Sequence, residues 1–158
     1  MRALLVSALA VLACAMSVAP AFTLLNPRDY NAFVPNWTPE DQPVCHVITS
    51  GAEWSDAVHP AAVMGHNVFG PPGSLFNRHD VLLLARVMPA GDTAHVFQVR
   101  RVTPGGGGTM VDYTYTPPAG PATSTTKEYF AIVVAKPISM PVLFRENGRV
   151  VCRVIPHH

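Results

Sequence analysis

The sequence predicts an all-β domain, an antiparallel β-sandwich or half-open barrel of about seven strands behind an N-terminal Pro-rich arm. Three observations lead there. Four runs of strand length, 80–88, 95–102, 109–116 and 127–135, are rich in β-branched, aromatic and leucine residues, and each is bounded by Pro, Gly or Ser/Thr clusters. An Asn147-Gly148 pair sits between two further apolar runs and supplies the positive φ angles that a two-residue hairpin turn needs. The chain's 16 prolines and 11 glycines break helices and exclude a helical bundle.

Residues 1–21 have the layout of a secretory signal. Arg2 is the positive region, Leu4 to Met16 an apolar run, and Ala19-Pro20-Ala21 a small-residue cleavage site. The run is shorter than the roughly 20 residues of a membrane-spanning helix. Val11-Leu12-Ala13-Cys14 offers a second reading, a lipoprotein signal with a lipid anchor on Cys14. Without the segment 137 of the 158 residues remain, one domain's worth, able to bury roughly two-thirds of its unfolded surface. Loss of Arg2 leaves ten Lys or Arg against ten Asp or Glu, a formal charge of zero. With only 13% charged and 49% hydrophobic residues, this excludes a basic nucleic-acid binder, a polybasic membrane-surface protein and an acidic disordered tail.

Residues 22–43 carry Pro27, Pro35, Pro39 and Pro43 without periodicity and read as an extended arm, with Tyr30, Phe33 and Trp37 as anchors. A single β domain then spans 44–158. Val44 to Thr49 is a short β-type run. Residues 50–79 are irregular, with room for a turn or two of helix around Trp54 to Val58 before Pro60, Gly65, Gly70 and Pro71-Pro72-Gly73 stop it. In 109–116, Val111, Tyr113 and Tyr115 share one face and Asp112, Thr114 and Thr116 the other, a half-buried strand. The runs 80–88 and 127–135 are apolar on both faces and belong at the centre of a sheet. The Asn-Gly hairpin places Glu146 opposite Arg149 and Phe144 opposite Val151. Strands following one another as a meander put loops 89–94 and 117–126 and the 146–148 turn at one end, and loops 103–108 and 136–141 at the other.

Export makes Cys45 and Cys152 a pair for a disulfide. Closing so long a loop stabilises by about 4 kcal/mol in the chain-entropy model.

Few residues point to catalysis. Gly105 to Gly108 is followed by a strand and not by the Lys-Ser/Thr and helix of a phosphate-binding loop, so it reads as a flexible hairpin loop. No G-x-S-x-G elbow is present, and His79 and Asp80, adjacent on a strand, face opposite sides. A hydrolase is therefore the third reading, with no residues assigned to it.

Two resemblances carry further expectations. Val63-Met64-Gly65-His66-Asn67 and the Cys152-x4-His157 spacing are similar to the copper-binding segments of azurin-type cupredoxins. That resemblance implies a periplasmic copper-binding or electron-transfer protein with His66, Cys152 and His157 as equatorial ligands; it leaves Cys45 unpaired. From about Asp80 to Arg145 the order is strand, strand, Gly-rich turn, Tyr-bearing strand, Pro-rich loop and a returning strand closing with Lys136-Pro137. This order resembles the C-terminal domain of the protease-complex regulator B family and, more remotely, chagasin-type inhibitors of cysteine proteases. The segment Tyr113 to Pro121 falls where the latter carry an Arg-Pro-Trp binding loop between two strands, with Pro117 and Ala119 replacing the Arg and Trp, and Tyr129 to Val134 matches the strand after it.

The leading expectation is an exported, non-enzymatic β-domain without cofactor that binds a protein or peptide partner and regulates envelope proteolysis. Its recognition residues are Pro117, Pro118, Gly120 and Pro121, because a stiff Pro-rich loop projects at low entropy cost. The polar stretch Thr123 to Thr126 extends that surface.

Overall fold

The computed structural model describes residues 22–26, 29–30, 43–62, 64–65, 68–105, 107–120 and 123–156. The predicted signal with Cys14, the arm residues Phe33 and Trp37, and Pro121, His66 and His157 lie outside them. In chain order the described strands are β1 (Thr23–Leu25), β2 (Val44–Ile48), β3 (His79–Pro89), β4 (Phe97–Gly105), β5 (Gly108–Tyr115), β6 (Thr125–Ala135), β7 (Val142–Glu146) and β8 (Arg149–Val154). They form two four-stranded sheets, β1-β6-β3-β2 and β4-β5-β7-β8, stacked as an all-β sandwich.

β3 and β6 hold the centre of the first sheet, as their two-sided apolar pattern predicts. They pair without a shift from His79↔Ala135 to Pro89↔Thr125. Their even-numbered residues Leu82, Leu84, Phe130, Ile132 and Val134 meet Val102, Val111, Tyr113, Val142 and Phe144 between the sheets. The odd-numbered Val81, Leu83, Ala85, Ala131 and Val133 form a second core under an outer layer. That layer includes helix α1 (Gly51–Val58) and a 3-10 turn, Gly73–Asn77. The helix starts where Ser50 Oγ accepts the Glu53 N–H at 3.2 Å and the Glu53 carboxylate reaches back to the Thr49 N–H at 2.6 Å. It ends at His59, left-handed at φ 44°. Trp54 and Val58 are its buried side chains, with the Tyr30 ring edge-on to Trp54 at 5.3 Å. Tyr30 is thus an anchor, as expected.

Three details depart from the sequence reading. The start of the arm is not merely laid over the domain: β1 pairs with β6 and adds an edge strand. The Asn147-Gly148 turn forms with φ of 46° and 88° and sets Glu146 opposite Arg149, but Phe144 faces Cys152 and not Val151. A bulge between Phe144 and Arg145 shifts the register by one. The strands are not a plain meander, because β6 crosses to the other sheet and leaves β5 and β7 as parallel neighbours. Their directions still alternate along the chain, so the two predicted sets of loops do share their two ends. The glycine run is the expected hairpin: Gly105 pairs with Gly108. Gly108 has φ +119°, and a Cβ there would lie 2.1 Å from Pro141 O.

Candidate functional site

The end of the sandwich that presents the Pro-rich loop is built from three connections. Between β3 and β4, the Ala90 N–H donates to Ser124 O at 2.9 Å. After β5, the Thr116 N–H donates to Val96 O at 2.9 Å. A Cβ at Gly91 would lie 2.7 Å from Pro118 Cβ, so the two connections touch. The third is the β7–β8 turn. Asn147 donates from its backbone to Tyr113 O at 3.0 Å and from Nδ2 to Tyr115 O at 3.0 Å, while its Oδ1 accepts the Tyr115 N–H at 3.2 Å. One side chain thereby extends the parallel β5–β7 pairing past the end of β7.

Pro117 and Gly120 are exposed, and Pro118 is half-buried against Gly91. Gly120 takes φ +103°, which turns the loop after the rigid Pro117-Pro118 pair. Three of the four predicted recognition residues therefore lie on one short segment; Pro121 lies outside the described residues.

Beneath this surface is a charged cluster that sequence reasoning missed. Arg86, in phase with Leu82 and Leu84, points between the sheets and forms an ion pair with Glu146. Their side chains are only 21% and 12% exposed. Tyr113 Oη donates to Glu146 Oε2 at 2.8 Å, and the Arg86 guanidinium lies 4.2 Å from the Tyr115 ring centroid. Burial, then the bond to Glu146, raises the Tyr113 hydroxyl pKa well above its usual value, so this group serves as a fixed donor. The signal for this cluster was in the sequence: Arg86 interrupts an apolar run on a face that must be buried. Phe97, Phe130 and Phe144 pack below it, with Phe130 5.4 Å from Phe97 and 5.1 Å from Tyr113. The cluster joins β3 of one sheet to β5 and β7 of the other and gives the loop end a stiff base.

Cys45 and Cys152 form a disulfide between β2 and β8. Cys152 therefore has no free thiolate to offer a copper ion. His66 and His157, the other ligands of that reading, lie outside the described residues. Among the described residues no group of three or more His, Cys, Asp or Glu side chains is placed to hold a metal ion. His79 Nδ1 stands 3.4 Å from Leu75 O, while Asp80 stands beside Lys136, so the two neighbours do not orient one another. No family model, no curated protein and no solved structure matches this chain.

Proposed function

We propose that this chain is an exported, non-enzymatic β-sandwich that recognises a protein or peptide partner through the loop end carrying Pro117, Pro118, Gly120 and Pro121. One observation carries the reading. The Pro117–Gly120 segment stands out from an end that is braced by the neighbouring loop, by Asn147 and by the Arg86–Glu146–Tyr113 cluster. A stiff loop on a stiff base loses little entropy on docking. The signal-like segment at 1–21 and the paired cysteines support export. The resemblance of residues 80–145 to regulators of protease complexes supports control of envelope proteolysis as the process.

The test replaces residues 117–121 with a Gly-Ser stretch and compares cross-linked partners captured in the native export compartment, quantified by mass spectrometry. The variant should keep its circular dichroism spectrum and its disulfide and lose at least about nine-tenths of a partner the parent captures, a loss of more than 1.4 kcal/mol. Equal capture by a folded variant would remove the loop from the assignment.

A further inference from the structure

β2 is an edge strand of one sheet and β8 an edge strand of the other. The Cys45–Cys152 bridge holds their Cα atoms 6.3 Å apart. Past the bridge both strands run toward the end that carries residues 136–141, and a groove of about 520 Å³ opens beside them. Ile138, Met140 and Val154 make an apolar wall, and Glu53, Asp56 and Ala57 of α1 line the other side. Residues 45–49 line it without a break.

The hydrogen-bond ladder says which backbone groups face this groove. The Lys136 N–H donates to Arg78 O at 2.9 Å, and the β3–β6 register continues that pairing without a shift. Even-numbered β3 residues therefore bond toward β6, and the odd-numbered ones toward β2. Val81, Leu83 and Ala85 face Ile48, His46 and Val44, which engages those three β2 residues. Cys45 and Val47 turn their N–H and C=O groups the other way, outward along the edge, where they have no partner among the described residues. Thr49, next in phase, gives its N–H to Glu53.

Exposed strand edges are usually blunted by shortness, charge, proline or a bulge. β1 has three residues. β4 carries Arg100, Arg101, Pro104 and a bulge, and β8 carries Arg149 and Arg153 beside one. Val44 to Ile48 has none of these devices.

The lining also has a sign. Its charged residues are Glu53, Asp56 and Asp80, with no Lys or Arg. Burial holds the His46 imidazole below its usual pKa, so it adds no charge at neutral pH. Asp80 is 5% exposed, and its Oδ1 accepts no hydrogen bond among the described residues; the Lys136 ammonium, 3.2 Å away, is its ionic partner.

We propose that this groove is a strand-addition site: an extended segment of a partner protein pairs with the free edge of β2, sets apolar side chains against Ile138, Met140 and Val154, and places a Lys or Arg beside Glu53 and Asp56. Backbone bonds supply the affinity and alternate side chains the selection. The site lies at the opposite end of the sandwich from the Pro-rich loop and does not depend on it.

The experiment uses the full chain with its disulfide intact and two short synthetic peptides of alternating Val and Thr, identical except for a central outward Lys or Glu. The Lys peptide should bind about fivefold more tightly than the Glu peptide. It should slow hydrogen exchange at the Cys45 and Val47 amides. Asp56→Lys, a change on the exposed side of α1, should reverse the preference, and the 117–121 Gly-Ser variant should leave it unchanged. No binding, equal binding of the two peptides, protection that spares Cys45 and Val47, or a preference indifferent to Asp56→Lys would each overturn the proposal.

Discussion

Asp112 sits between Arg101 of β4 and Arg145 of β7, accepting from Arg101 Nη2 at 3.0 Å and from Arg145 Nη2 at 2.8 Å. The hydrogen bonds to Arg145, then those to Arg101, hold its carboxyl below the usual carboxylate pKa against the opposing effect of burial. A depressed native pKa favours the ionised, folded form. The contribution is therefore complete above the unfolded value of about 3.9 and is lost as pH falls through the lower native one. Urea midpoints of the parent and Asp112→Asn should differ at pH 7 and converge below about pH 4; a gap that stays constant down to pH 2 would contradict this. The sequence put Asp112 on the outward face of its strand, and so it is. It did not reveal the partners, because Arg101 and Arg145 reach Asp112 only once three strands lie side by side.

At the scale of elements, the hairpin between β4 and β5 shows how a loop that looks slack can be tightly specified. Gly108 combines a positive φ with a position where a Cβ would overlap the Pro141 carbonyl oxygen, and the Thr109 N–H donates to the same oxygen at 3.0 Å. Gly108→Ala should cost at least about 2 kcal/mol in urea unfolding, since left-handed backbone alone costs an L-residue roughly 1–2 kcal/mol and the overlap adds to it. Gly107→Ala, with open space around its Cβ, is the control and should change stability by less than about 0.5 kcal/mol. Equal effects would show that the close approach to Pro141 is unimportant. The turn signal itself was readable from the glycines. The reason one of the four cannot be replaced was not, because Pro141 is a distant neighbour that only the crossing of β6 brings near. The same crossing explains why β5 and β7 run parallel when no local pattern distinguishes parallel from antiparallel pairing in strands this short.

For the whole molecule, the Cys45–Cys152 disulfide closes a loop of 107 residues between edge strands of different sheets. Replacing both cysteines by Ala should lower the unfolding free energy by about 2–5 kcal/mol while leaving the far-ultraviolet spectrum unchanged. A loss below about 1 kcal/mol would mean that the unfolded chain gains little from release of the constraint. By itself the sequence determined the class of fold, the central strands, the Asn-Gly turn, the grouping of loops at two ends and the pairing of the two cysteines. Each rests on local periodicity, turn chemistry or simple pairing, which adjacent residues encode. Only the tertiary structure decided that β6 changes sheets, that Arg86 meets Glu146 and Tyr113 under the Pro-rich loop, and that the edge of β2 opens onto an acidic-sided groove. Those features depend on which distant segments become neighbours, and that follows from burying both faces of β3 and β6 at once, a demand no single segment contains.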